Sequence, residues 1–410
     1  MVRMTRRRFT AVGAGAVTAL GFGTGRAGAA EAAGTPTEFR GVWAATVANI
    51  DWPSRPGLTP DRQRAELLVL LDSAATRRLN VVLLQIRPTA DAFWPSRYEP
   101  WSEYLTGTQG RDPGWDPLAF AVREAHRRNL HLHGWFNPYR IANHTDPGRL
   151  VSSHPARVHP DWAVPYGGKL YYNPGLPDVR RFVQDAMLDA VFRYDLDGVH
   201  FDDYFYPYPV AGQEFDDAAA YRRYGGAFPD RGAWRRDNID RLVRETGERI
   251  KRRKRRVRFG VSPFAVWRNK TTDPRGSDTR AGVQTYDDLY ADTRKWVREG
   301  WIDYVVPQVY WHIGNAAADY ATLVPWWAGT VHGTDVDLYI GEALYRQGDP
   351  AQPAPWQDPA ELSRHLTLCR RHRDVRGNVY FSARQVRDDP IGAMARVVGD
   401  HYPRRARPPR

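Results

Sequence analysis

Short runs in which apolar and polar residues alternate recur along the chain. Between them lie longer stretches whose apolar positions return every three or four residues. The run 197–202 is the clearest of the first kind: Val199 and Phe201 take one face, and Gly198, His200 and Asp202 the other. It runs into a carboxylate pair, Asp202 and Asp203, and an aromatic cluster, Tyr204-Phe205-Tyr206. Comparable strand-like runs occupy 39–45, 81–87, 131–137, 257–262, 303–310, 337–342 and 378–382. Helix-like stretches separate them, at 60–78, 116–129, 178–194, 234–255, 287–299, 319–327, 359–373 and 390–399. Thr59-Pro60 and Asp116-Pro117 are cap-and-proline pairs suited to a first helical turn.

Strands and helices in strict alternation predict a (β/α)₈ TIM barrel. The links from helix to strand are short, whereas long loops follow the second to fifth strands, among them an insertion at 204–233. That asymmetry fits a barrel, whose carboxyl-end loops build the active site. The alternative is an open doubly wound sheet. The first strand is not followed by the Gly-rich phosphate loop such a sheet uses.

In a barrel the residues under the helices are apolar, so alternation assigns the inward face. Gln85 and Arg87 then point inward in the second strand, Trp135 and Asn137 in the third, and Asp202 in the fourth. Ser262 points inward in the fifth, and Gln308 and Tyr310 in the sixth. The seventh is ambiguous: Glu342 shares parity with Leu338 and Ile340 but ends the strand. A purely structural barrel fills such positions with branched apolar residues.

Composition narrows the function. The 410 residues carry a formal net charge of +12, which favours an anionic setting such as nucleic acid, phospholipid or an acidic wall polymer. Fifteen Trp and 21 Tyr supply flat faces for sugars or bases. The single cysteine, Cys369, excludes an intramolecular disulfide and a cysteine metal cluster. Thr5-Arg6-Arg7-Arg8-Phe9 resembles a twin-arginine export signal, followed by a weakly apolar run and an Ala27-Gly28-Ala29 cleavage site. The expected organisation is a leader at 1–30, a barrel domain at 38–402 and a basic, disordered tail at 403–410. A secreted or cell-wall location follows, with the membrane met only in transit, no nucleic-acid partner and a monomeric chain.

Long ordered motifs then point to a family. They include Phe39-Arg40-Gly41-Val42-Trp43, Asp51-Trp52-Pro53, Trp135-Phe136-Asn137-Pro138-Tyr139-Arg140 and Asp197-Gly198-Val199-His200-Phe201-Asp202-Asp203-Tyr204. Gly260-Val261-Ser262-Pro263, Gly276-Ser277-Asp278-Thr279-Arg280 and Pro307-Gln308-Val309-Tyr310-Trp311 continue the set. Together, over 38–382, they resemble the glycosyl-hydrolase-like family 10 proteins. The resemblance implies a TIM-barrel glycoside hydrolase. A bacterial member is associated with cleaving peptidoglycan glycan strands stripped of their peptides, so the implied substrate is a cell-wall polysaccharide. Glu342 stands outside the family pattern.

Glycoside hydrolysis usually needs two carboxyl groups flanking the scissile bond. Asp202 is the leading candidate, with Asp203, Asp91 and Glu342 as candidate partners. Asp203 has three other readings: binding substrate, raising the pKa of Asp202 by like-charge proximity, or capping the turn. Trp135, Trp311, Tyr204 and Tyr310 are candidate sugar-stacking rings or core residues. Gln85, Arg87, Asn137, Arg140, Ser262 and Gln308 are candidate binders of hydroxyls, N-acetyl groups or a carboxylate, and Arg87 has the option of pairing with Asp91. His131-Leu132-His133 resembles a zinc pair on a barrel strand but lies deeper than the mouth, so no metal and no cofactor is expected. The basic run 251–256 reads as a solvated helix end. The readings left open beside a hydrolase are a non-catalytic glycan-binding wall protein and a metal-dependent amidase or deacetylase of the same polymer.

Overall fold

The computed structural model describes residues 35–409, and the expected leader at 1–30 lies outside the described residues. Eight parallel strands close into a barrel. In chain order they are β1 (Phe39–Ala44), β2 (Val81–Arg87), β3 (His131–Phe136) and β4 (Gly198–Phe201). They continue with β5 (Arg258–Val261), β6 (Tyr304–Val305), β7 (Asp337–Glu342) and β8 (Val375–Phe381). Each strand pairs with its neighbours in sequence, and β8 closes onto β1. The expected TIM barrel is therefore the fold.

Helices form the outer layer: α1 (Pro60–Thr76), α2 (Pro117–His126), α3 (Pro177–Arg193), α4 (Arg231–Arg253) and α5 (Thr293–Arg298). α6 (Tyr320–Val331), α7 (Glu361–Cys369), α8 (Ala383–Asp388) and α9 (Ala393–His401) complete it. Side-chain caps set several starts. Thr59 accepts from Arg62 N, Asp116 from Ala119 N and Asp230 from Ala233 N. The last of these starts α4 three residues before the apolar periodicity does.

Two shells of side chains follow from strand parity. Val82, Leu84, Ile86, Val199, Phe201, Phe259 and Val261 belong to the core between strands and helices. Phe39, Trp43, Leu83, Trp135, Tyr304, Tyr339 and Val379 fill the barrel itself, where Phe39 stacks on Tyr339 at 4.0 Å. Two inward glycines make room. A Cβ on Gly198 would meet the His133 ring at 2.4 Å, and one on Gly260 would meet the Tyr304 ring at 2.2 Å. These rings are tied by hydrogen bonds: Tyr304 Oη lies 2.9 Å from His133 Nδ1 and 3.2 Å from His200 Nδ1.

The structure departs from the sequence pattern in four places. β6 shrinks to two residues because Pro307 offers no N–H to the ladder, leaving Gln308 to form isolated bridges to Phe264 and Gly341. The loop after β3 carries a three-stranded antiparallel sheet of Arg140–Ala142, Lys169–Tyr172 and Ala163–Tyr166. The stretch expected as one helix at 287–299 splits, with only Thr293–Arg298 continuous after the turn at Asp292. The tail, expected to be disordered, is pinned in residues 403–409. Arg407 N donates to Pro36 O at 2.8 Å, Glu38 N donates to Arg407 O at 3.0 Å, and Asn80 Nδ2 donates to Ala406 O at 3.1 Å. Its composition suggested solvation, but backbone pairing beside β1 holds it.

Candidate active site

A cavity of about 350 Å³ opens at the carboxyl ends of the strands. Each barrel strand or the loop after it brings a side chain to this mouth, and among the lining groups are Gln85, Trp135, Arg140, Asp202, Asp203, Tyr204, Ser262, Gln308 and Tyr310. The structure thus gathers nine of the sequence-derived candidates at one place. Trp43, Tyr208, Phe264, Tyr345 and Phe381 complete an aromatic wall.

Asp202 follows directly on β4 and is 4% exposed. Trp135 Nε1 donates to its Oδ2 at 3.1 Å. Asn137 Nδ2 donates to Oδ1 at 3.2 Å and Oδ2 at 3.1 Å, and Tyr204 N donates to Oδ1 at 3.3 Å. Burial and the neighbouring Asp203 charge push its carboxyl up to about 6, while Arg140, Asn137 and Trp135 hold it down. Asn137 stands behind Asp202, wholly buried, and does not line the cavity. It reaches the chemistry only through that carboxylate.

Asp203 is 7% exposed and turns to the same cavity because the strand pairing has ended at Phe201. Gln308 Nε2 donates to its Oδ1 at 3.1 Å, and Tyr208 Oη donates to its Oδ2. Burial raises this carboxyl too, against the lowering effect of Tyr208 and Gln308. Two carboxylates this close share a proton more readily than they both ionise.

The floor below them is neutral and rigid. Trp43 Nε1 donates to His200 Nε2 at 3.1 Å, and Ser262 Oγ lies 2.8 Å from the same nitrogen. His200 Nε2 is therefore an acceptor and Nδ1 carries the proton. Burial pushes the imidazole down to about 3, which keeps it uncharged. At the rim, the Arg140 guanidinium donates from Nη2 to Pro88 O at 3.1 Å and lies 5.0 Å from the Tyr204 ring centre. Gln85 Oε1 accepts from Thr46 N at 3.0 Å and Val47 N at 2.9 Å, leaving its buried Nε2 without a protein partner.

Four candidates fall elsewhere. Arg87 is fully buried because the ladder shifts register between Gln85 and Arg87, which turns its side chain out of the lumen. It pairs with Glu99 through Nε at 2.7 Å and Nη2 at 2.5 Å, and donates to the carbonyls of Asn137 and Pro138. Glu99, not Asp91, is its partner, and the pair ties the loops after β2 and β3 together. Asp91 is buried away from the cavity, accepts from Thr89 N at 3.2 Å, and is pushed up to about 7 by burial. Glu342 keeps the outward parity of Leu338 and Ile340. It lies under the helices, where Tyr320 Oη donates at 2.6 Å, Asn378 Nδ2 at 2.7 Å and His365 Nδ1 sits at 2.9 Å. Trp311 packs edge-on against Phe264 at 5.4 Å, one ring out from the cavity.

Residue-level reading overlooked His200, Tyr208, Trp43, Phe264, Tyr345 and Phe381. The first carried a signal, its inward parity with Asp202. The others come from loops and strand ends that only the closed barrel brings together. Among the described residues no group of three or more His, Cys, Asp or Glu side chains is placed to hold a metal ion, and His133 is engaged with Tyr304. A larger cavity of about 1040 Å³ lies at the amino end of the strands. Some of its charges are paired within the chain, as in Lys251–Asp303 at 2.7 Å and Arg258–Asp337 at 2.8 Å.

A closed (β/α)₈ barrel whose mouth holds two neighbouring carboxylates among aromatic rings has the parts of a glycoside hydrolase. Comparison with known proteins agrees. The model of the Glycosyl hydrolase-like 10 family matches residues 38–358, and the chain belongs to that family. It is 52% identical over 367 residues to glycosyl hydrolase YngK of Bacillus subtilis, covering 89% of this chain and 72% of that protein. It is 41% identical over 363 residues to glycosyl hydrolase DigH of Escherichia coli K12, covering 84% and 82%. The fold resembles the PgaB (BpsB) glycoside hydrolase domain from Bordetella bronchiseptica, with a TM-score of 0.55 at 16% identity over 88% of this chain and 98% of that one. The chain is a glycoside hydrolase.

Proposed function

We propose that this hydrolase is exported and cleaves glycosidic bonds in a bacterial cell-wall glycan, namely peptidoglycan strands freed of their peptides, with Asp202 and Asp203 carrying the acid and base chemistry. The observation that carries the reading is the pair itself: two buried carboxylates at the barrel mouth, each clamped by donors from different elements. One shared proton equips such a pair to protonate a leaving oxygen while a negative charge remains beside the anomeric carbon.

The surroundings fit a sugar chain. Trp135, Tyr204, Phe264, Tyr310 and Tyr345 offer ring faces for pyranoses, and Arg140 and Gln85 offer donors for hydroxyl or acyl oxygens. The net charge of +12 suits an anionic wall. The Arg6-Arg7 leader motif supports export.

The test is mass spectrometry of products from intact and amidase-treated peptidoglycan incubated with the purified protein. Glycan fragments with new reducing ends, from the amidase-treated material and unaffected by a chelator, are expected. Released peptides, or tight binding with no products, refute the reading.

A further inference from the structure

Two cations stand beside the mouth without an ion-pair partner among the described residues. Arg140 lines the cavity and is 5% exposed. Its Nε and Nη2 both donate to Pro88 O, at 3.3 and 3.1 Å, while Nη1 has no hydrogen-bond partner among those residues. Lys169 is half-buried just outside, and its ammonium makes neither a hydrogen bond nor an ion pair among them. The two charges flank one ring: the Arg140 guanidinium lies 5.0 Å and the Lys169 ammonium 5.9 Å from the centre of Tyr204. The sheet after β3 sets them on the same face. Arg140 pairs with Tyr171, and Lys169 stands two residues before Tyr171 in the strand Lys169–Tyr172. Burial, with the Arg140 charge added to it, pushes the Lys169 ammonium below its usual range.

A structural role accounts for only part of this arrangement. A ring face offsets less than burying an unpaired charge costs. Asp202 and Asp203 supply some of the missing charge, since Arg140 lowers both carboxyls. With one proton shared between them, however, that pair carries a single negative charge against two positive ones. Neither cation forms an ion pair with it. An anion brought by the substrate completes the balance, and Arg140 Nη1 and the Lys169 ammonium are the free donors that would meet it. A guanidinium fork suits a planar carboxylate in particular.

We propose that Arg140 and Lys169 form a subsite for a carboxylate carried by the glycan, namely the lactyl carboxylate of a muramic residue bound at the mouth. This rests on the reading of the protein as a hydrolase of peptide-free strands, and it gives that preference a cause. While a peptide is attached, the lactyl carboxyl is a neutral amide and gives the two cations no charge to pair with. Hydrolysis of that amide removes the peptide and leaves the carboxylate bare. The reaction that must supply this substrate is therefore an amide hydrolysis at the lactyl group. The subsite then selects denuded strands by their charge, and not only by the room that a peptide would need.

The experiment gives the full mature protein amidase-treated strands, which bear free lactyl carboxylates, and the same strands after condensation of those carboxylates with methylamine. The methylamide removes the charge and adds little bulk. On free-acid strands kcat/KM should exceed that on methylamide strands by at least about tenfold, the scale of a hydrogen bond to a charged group. Lys169→Met keeps an unbranched apolar stem and loses the charge. In that variant the ratio should shrink by about threefold or more, through KM, since a partly exposed cation that holds substrate away from the reacting bond adds binding alone. Lys169→Arg should restore the ratio. A wild-type ratio within about twofold of unity overturns the proposal. So does a ratio that Lys169→Met leaves unchanged while its melting curve matches the wild type. Hyaluronan, whose carboxylates sit on uronic acids, should resist; its cleavage in a Lys169-dependent way, with free-acid strands left intact, overturns the lactyl assignment. Cleavage of neither strand form nor of hyaluronan overturns the wall-glycan reading itself, and the subsite with it.

Discussion

Glu342 offers the sharpest check on how the barrel sorts its acids. It is fully buried, and three groups surround its carboxylate: Tyr320 Oη and Asn378 Nδ2 on Oε1, and His365 Nδ1 on Oε2. His365 also lies 3.3 Å from Glu361 Oε1. Burial opposes its charge, but Glu342 and Glu361 outweigh burial and raise its pKa from 6.5. Glu342→Ala leaves a buried imidazolium, a phenol and an amide short of an acceptor, and removing one partner of a buried pair costs about 3–5 kcal/mol. Glu342→Gln is milder. The new carbonyl still accepts from Tyr320 and Asn378, and its NH₂ donates to a neutral His365. Only the charge assistance is lost, about 1–2 kcal/mol.

The two variants differ in pH dependence as well. In the wild type the stability due to charged His365 is complete below the unfolded value of 6.5 and disappears as pH rises through the raised folded value. In Glu342→Gln that slope should shrink, because the main group raising His365 is gone. Urea unfolding of the three proteins across this pH range measures both effects. Turnover per folded molecule should stay near wild type in Glu342→Gln, since the carboxylate faces the helices. A loss of about a hundredfold or more with an intact melting curve would place Glu342 in the catalysis and refute the parity argument.

Asp202→Asn should lower turnover on glycan strands by about 10²–10⁴-fold, and retention of more than about a tenth would sink the assignment. Asn137→Ala removes a hydrogen bond to a charged group, about 1.5–3 kcal/mol, so kcat should drop about tenfold or more while KM moves little; a change in KM alone would mean Asn137 does not act through Asp202. Trp135→Ala should cost both turnover and about 1–3 kcal/mol of glycan binding, whereas Trp311→Ala should cost less because Phe264 stands between it and the cavity; calorimetry giving the opposite order refutes this placement. Replacing Arg6 and Arg7 by Lys should keep the protein inside the cell, and unchanged appearance of mature protein outside would remove the twin-arginine reading.

Alternation along each strand, read from the amino-acid sequence, determined the barrel and the inward faces of Gln85, Trp135, Asp202, Ser262, Gln308 and Tyr310, because side-chain parity in a strand is a local property. The sequence also determined the family, since its motifs are contiguous. Tertiary structure decided the rest. The register shift after Gln85 turned Arg87 from the mouth into a buried clamp on Glu99. Asp203 entered the cavity because the β4 ladder stops before it, which parity alone does not reveal. Glu342 was ambiguous as a strand end until α6 and α7 supplied Tyr320 and His365 to meet it. Tyr208, Phe264, Tyr345 and Phe381 line the same cavity from positions far apart in the chain, and the tail at 403–409 found backbone partners beside β1. In each case the deciding contact joins residues distant in sequence, and no local pattern encodes where two such segments will meet.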